Sequence, residues 1–387
     1  MTTQQQGGSA SGTSRAICGE EHYPPALLAV AANGLPGAGR PFPSAPLGTT
    51  EWNGMLAGAL SHRMTGFLQK VIDEELLVVT PPQARAANQA HRTSMLRALA
   101  LESELLDVAA LLAAAGIEIL VLKGSAVANL DYSDPVLRPF TDLDIAVRPD
   151  AIDSAVATLM GAGFRRTLAE PRTGFDRRFD KGVTLRHPTG YGLDLHRTFV
   201  LGPWGVLVDI EGLWDGGEEF VVGGRPLRAL SRHNRFVHAC YHAALGDWPL
   251  RLLSLRDVAQ MAVALEPDAA ALRAIAARWG IDAVVASAVS DAWRLLGLEQ
   301  DTDLSSWARR YAPTRREVAQ LALHTHPDKT FTAQALSTLR TIPRWRDKAA
   351  YARALVLPDA AYTQGRHASP LARFRFAIGE ARRGRAR

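Results

Sequence analysis

The chain has 387 residues, 47% of them hydrophobic and 21% charged, with a formal net charge of +5 and a pI near 9.4. That is the composition of a soluble globular protein with room for two or three domains, and its charge surplus is too mild to demand a nucleic-acid partner. The longest uncharged apolar run, Val108 to Ile117, falls far short of the roughly 20 residues that cross a bilayer. The N-terminus "MTTQQQGGSASGTSR" lacks the apolar middle of a signal peptide, so a cytoplasmic protein with no membrane partner is expected. Two cysteines, Cys18 and Cys240, exclude both a disulfide framework and a four-cysteine zinc site.

Residues 1–50 are rich in Gly, Pro, Ser and Ala without a sustained period and read as a disordered or loosely attached leader. From Glu51 to Ala115 apolar residues recur three and four apart, which predicts N-terminal helices, the second running from Pro82 to Ala115. Residues 116–230 then change character. "IEILVLKG", Ile117 to Gly124, reads as a strand buried on both faces, followed by "SAVANL", a short helix capped by Ser125. A strand at Thr141 to Val147 and a helix from about Asp150 to Gly161 come next. "FDKGVTLRH" and "YGLDLHRTF" predict an antiparallel pair joined by the turn Pro188 to Gly190. From Ser231, a plausible N-cap, residues 231–357 are helical in pattern, and residues 358–387 form a basic tail. The expected class is therefore α/β in the α+β sense, a small mixed β-sheet core flanked by N-terminal helices and a C-terminal helical domain.

Three features of the core carry chemistry. The strand ending at Gly124 runs into a helix N-terminus at Ser125, where free N–H groups and the helix dipole favour an anion such as a phosphate. In "RPFTDLDIAVRP", side chains alternate with period two, so Asp142 and Asp144 share a face opposite Leu143 and Ile145. In "GLDLHRTF", Asp194 and His196 likewise share a face. If these two strands pair, three carboxylates meet on one surface, and unpaired buried carboxylates are costly. Oxygen ligands of this kind suit Mg²⁺, with metal and triphosphate supplying the missing charge balance. Lys123 pairs with a phosphate or with an aspartate on this reading. His196 has a direct role or serves as a hydrogen-bond partner of Asp194. His238 and His242, four apart, read as core or interhelical hydrogen-bonding residues before they read as a metal pair, and Arg256 with Asp257 reads as an interhelical ion pair.

"KGS" at Lys123 to Ser125, "DLD" at Asp142 to Asp144 and "LDLH" at Leu193 to His196 together resemble the signature of the DNA polymerase β-like nucleotidyltransferase superfamily. The longer run "VLKGSAVANLDYSDPVLRPFTDLDIAV" is similar to an uncharacterised bacterial branch with an LKG…R…DLD motif. That resemblance implies that Asp142 and Asp144 bind Mg²⁺ or Mn²⁺, that Asp194 binds the catalytic metal and helps deprotonate the acceptor, and that Gly124 and Ser125 hold the triphosphate. Arg138, in the long segment between Ser125 and Asp142, is placed near the phosphates or fixes its loop through backbone carbonyls.

The implied activity is an Mg-dependent, ATP- or other NTP-binding transferase. It would move a nucleoside monophosphate to a hydroxyl or phosphate acceptor with release of pyrophosphate. Small molecules, peptide natural products, proteins and tRNA all remain open as acceptors. The alternative is a catalytically silent nucleotide-binding regulatory or scaffold protein.

Overall fold

The computed structural model describes residues 18–325 and 331–363. Most of the basic tail and the first seventeen residues of the expected leader lie outside the described residues. The rest of that leader corrects the reading from composition. Pro25–Ala32 forms a helix, α1, in which every residue from Ala26 to Ala32 is buried. Its mean apolarity, not an amphipathic period, is the relevant signal: a helix that is hydrophobic all round belongs inside a core. Tyr23 just before it donates its hydroxyl to the Leu250 carbonyl at 2.7 Å, and Arg256 donates to the carbonyls of Ala31 and Asn33, both at 2.7 Å. Arg256 thus closes the C-terminal end of α1 and lies over the Phe67 ring at 4.1 Å.

The predicted first long helix is two helices, α2 (Thr49–Ser61) and α3 (Thr65–Asp73). They are separated at Arg63, a non-glycine residue with φ +61°. Next comes α4, Pro81–Ala114, which opens on a reciprocal cap: Thr80 N–H donates to the Gln83 side chain at 2.9 Å while Gln83 N–H donates to the Thr80 hydroxyl at 3.4 Å.

The core follows as β1 (Leu120–Val121), α5 (Ser125–Asp131), β2 (Leu143–Ala146), α6 (Ile152–Gly161), β3 (Arg165–Arg166), β4 (Gly182–Arg186), β5 (Gly192–His196), α7 (Pro203–Val206), β6 (Glu218–Val222) and β7 (Arg225–Ala229). The strands form one mixed sheet in the order β3-β4-β5-β2-β1-β7-β6. β4 and β5 pair antiparallel as the turn signal predicts, whereas β2 and β5 run parallel with Asp144 opposite Asp194 and Ala146 opposite His196. One face carries Leu143, Ile145, Val183, Leu185, Leu193 and Leu195, packed against α4 and α6. The other face carries the polar positions and turns toward α8 (Arg232–Leu245), whose N-cap Ser231 accepts from Asn234 N–H at 3.3 Å.

The remaining helices are α9 (Leu252–Ala264), α10 (Ala269–Trp279), α11 (Asp282–Leu296), α12 (Asp303–Arg310), α13 (Arg315–Thr325), α14 (Phe331–Thr341), α15 (Trp345–Val356) and α16 (Ala360–Thr363). A single apolar cluster joins α1, α2 and α3 to α8, α9 and α11, so the N-terminal helices share the core of the C-terminal ones. No described helix is long and apolar enough to cross a membrane.

Candidate active site

The polar face of the sheet holds the expected residues, in a partly different grouping. The parallel register of β2 and β5 sets Asp144 beside Asp194, and the alternation along β5 adds His196. One ligand atom from each of these three residues lies within 4.8 Å of the other two. Asp142 stands just ahead of β2, more exposed than Asp144, where Arg63 reaches it at 3.4 Å and Lys123 at 3.7 Å. Alternation puts it on the right face, but it sits beyond the end of the β2–β5 ladder and outside that close group.

His196 is oriented from both ends. Its Nδ1 faces the Thr198 carbonyl at 3.2 Å and its Nε2 faces Asp144 Oδ1 at 2.9 Å. Both partners are acceptors, so whichever ring nitrogen carries the proton donates to the oxygen it faces, and Asp144 Oδ1 is the closer of the two. Histidines that ligate metals are commonly held this way, with the second nitrogen tied to a backbone carbonyl. Asp144 Oδ2 is buried with the Lys123 ammonium 3.2 Å away. Two carboxylates and an oriented imidazole fit a divalent cation such as Mg²⁺ or Mn²⁺.

The charge balance differs from the expectation that metal and triphosphate must supply it. The chain's own cations do so: Lys123 lies 3.2 Å from Asp144 Oδ2, Arg63 faces Asp142, and Lys181 lies 3.1 Å from Asp194 Oδ2. Thr184 donates to Asp194 Oδ1 at 2.6 Å. Burial pushes the Asp144 carboxyl up, but the nearby charge of Lys123 and the hydrogen bond and charge of His196 outweigh it and hold the group well below the usual range. Asp194 is lowered too, burial being overcome by Lys181 and Thr184. Burial acts to lower Lys123, yet Asp144 and Asp142 raise it above an ordinary lysine. Asp144, Asp194 and Lys123 are therefore ionised at neutral pH.

The turn after β1 needs its glycine. Gly124 has φ +61° and ψ −115°, and a Cβ there would meet the Phe140 ring at 3.3 Å. Gly124, not Ser125, occupies the cap position of α5, which corrects the predicted cap. The Ser125 hydroxyl donates to Glu102 on α4 at 2.6 Å and accepts from Asn129 at 3.2 Å, so it braces the turn against α4. Arg138, fully buried, is likewise committed. It donates to both carboxylate oxygens of Asp257 at 2.8 and 2.6 Å and to the Gly124 carbonyl at 3.1 Å. Tyr132 adds a third hydrogen bond to Asp257 at 2.8 Å. Arg138 therefore takes the carbonyl-bracing role left open for it, and Asp257 pairs with Arg138 instead of with Arg256. Two separate segments, the Gly124 turn and α9, are locked through one guanidinium.

His238 and His242 lie on α8 beyond Lys123. His238 packs edge-on against Phe199 with ring centroids 4.7 Å apart. Burial, reinforced by the charge of Lys123, lowers His238 to about 3 and holds His242 well below an ordinary histidine, so both are neutral. Sequence reasoning missed Arg63, Lys181, Thr184 and Glu102. The alternation that exposed Asp194 would have found Thr184, its antiparallel neighbour, whereas nothing in "SHRMTG" marks Arg63 for a left-handed break.

A parallel register that brings two carboxylates and an imidazole together beside a glycine turn suits a nucleotide-transferring enzyme. The family described as uncharacterised nucleotidyltransferase matches residues 48–297, well over half of the chain, and the chain belongs to that family. A comparison with curated proteins finds no match. Among solved structures, the chain is similar to the solution structure of the antibiotic-resistance factor ANT(2'')-Ia. The two are 18% identical, the match covers 47% of this chain and 94% of that one, and the TM-score is 0.34.

Proposed function

We propose that the chain transfers a nucleoside monophosphate from an NTP to a hydroxyl or phosphate acceptor in a metal-dependent reaction that releases pyrophosphate. The observation that carries this reading is the β2–β5 register, which turns Asp144, Asp194 and His196 into one donor set beside the Gly124 turn. The family and the earlier resemblance to DNA polymerase β-like enzymes support it.

On this reading Asp144, Asp194 and His196 hold the cation and Asp142 completes the cradle from its edge. A bound divalent ion would lower the pKa of the attacking hydroxyl and steady the leaving pyrophosphate. The Gly124 turn, braced by Ser125 and Arg138, keeps backbone room for the triphosphate. Asp194, ionised at neutral pH, takes the acceptor proton as the acceptor oxygen bonds to the α-phosphorus and the bond to pyrophosphate breaks.

The test is incubation with α-labelled NTPs, Mg²⁺ or Mn²⁺ and panels of small hydroxylated compounds, peptides, proteins and tRNA. Label is expected in one acceptor class. Asp144→Asn should abolish transfer, and Asp194→Asn should lower turnover by about a thousandfold while leaving triphosphate affinity within a few fold. Nucleotide binding without transfer across the whole panel would favour the silent binder, and absence of metal-dependent nucleotide binding would remove both readings.

A further inference from the structure

Resting on that proposed activity, we propose that Lys123 is a displaceable internal counter-ion: its ammonium pairs with Asp142 and Asp144, and a divalent cation enters by exchanging with it. Three observations point the same way. The Lys123 ammonium lies between the two carboxylates, 3.2 Å from Asp144 Oδ2 and 3.7 Å from Asp142 Oδ2. A cation held by Asp144 would come close to that ammonium, and two positive charges within about 4 Å of each other repel strongly in a partly dry site.

The contact is also poorly specified. Lys123 meets each acid through a single ammonium contact, at 3.2 and 3.7 Å, with no forked pairing. A single-contact charge pair yields more readily than a forked one. Arg138 shows the contrast, since two hydrogen bonds to Asp257 and one to the Gly124 carbonyl fix its buried guanidinium. Finally, Lys123 directly precedes the Gly124 turn, and its flexible four-carbon stem can carry the ammonium several ångströms without moving the strand. Displaced from the carboxylates, the ammonium would pair with the triphosphate of the proposed reaction. Metal and nucleotide then bind with positive coupling: the first removes the lysine from the acids, and the second gives it a new anionic partner.

The experiment is a titration with Mn²⁺ alone, followed by the electron paramagnetic resonance of the free ion, on the full chain and on Lys123→Met, Lys123→Gln and Asp144→Asn. Circular dichroism confirms that each is folded. The two neutral Lys123 variants are expected to bind Mn²⁺ about tenfold more tightly than wild type, and Asp144→Asn more weakly. Equal affinity in wild type and both neutral variants overturns the exchange and leaves the proposed activity standing. No Mn²⁺ bound by any folded protein removes the cation site itself, and the proposed activity with it.

If neither neutral variant folds, wild type carries the test. Acetylation of Lys123 by a small anhydride, followed by peptide mass spectrometry, should be slow without metal and about tenfold faster with Mg²⁺, the same equilibrium read from the lysine side. Unchanged acetylation across saturating Mg²⁺ overturns the proposal.

Discussion

At the scale of single residues, the site's distinguishing property is that its carboxylates are already neutralised. Lys123 faces both Asp142 and Asp144, Arg63 faces Asp142 and Lys181 faces Asp194, while His196 also contacts Asp144. This explains how Asp144 stays ionised under almost complete burial, since an uncompensated buried carboxylate would take up a proton. The same field acts on α8, where Lys123 and His196 add to burial in disfavouring a charged His238, and Asp144 opposes them.

That has a stability consequence. The folded pKa of His238, about 3, lies below the unfolded 6.5. The unfolded chain therefore gains a proton first as pH falls, and the stability present above pH 6.5 is lost progressively down to about pH 3. His238→Gln removes this component. Urea unfolding at pH 7.5 and pH 5 should show wild type losing about 1–2 kcal/mol more than the variant between the two conditions. An identical loss in both proteins would assign the acid sensitivity to other groups.

At the scale of elements, β1, β2, β4, β5, α4 to α6 and the start of α8 were legible in the sequence, because period-two alternation, the Pro188–Gly190 turn and the Ser231 cap are local signals, whereas α1, β3 and the β6–β7 hairpin were not read from it. Leu143 and Ile145 marked the apolar face and Asp144 the polar one, as Leu193 and Asp194 did for β5. The parallel pairing of β2 with β5 was not legible, since it joins segments about fifty residues apart and no local pattern states a register. The commitments of Ser125 to Glu102 and of Arg138 to Asp257 were hidden for the same reason: both partners come from helices distant in the chain.

The Gly124 turn shows how strongly the elements constrain one another. With φ +61° and ψ −115° it lies outside the regions open to an L-residue, and Phe140 limits the space for a Cβ. Gly124→Ala should cost about 1–3 kcal/mol in chemical denaturation. Adding Phe140→Leu relieves the steric part alone. Full recovery in the double variant would show that the backbone conformation itself is not strained.

At the scale of the whole molecule, the family match and the folding unit have different limits. The match begins at residue 48, whereas α1, ending at Ala32, is buried among α3, α9 and α11. Leu27, fully buried, meets α2 so closely at Gly58 that a Cβ there would come within 2.7 Å of its Cδ2. Arg256, on α9, is spent largely on the carbonyls that end α1 and the residue after it. Without α1, those guanidinium donors and the apolar faces of three helices would open to water together, and Arg256 sits next to the Asp257 that anchors Arg138 and the Gly124 turn.

The segment before residue 48 should therefore be needed for the site although it contributes no residue to it. Leu27→Ala is expected to destabilise the chain by about 2–5 kcal/mol, the range for emptying a fully buried leucine site. A chain shortened to begin at Gly48 is expected to lose its cooperative thermal transition and to bind Mn²⁺ less tightly than the full chain. A shortened chain that melts cooperatively at the temperature of the full one would show that α1 is a passenger on the helical domain. The path from Ala31 through Arg256 and Asp257 to Gly124 would then carry no support for the site.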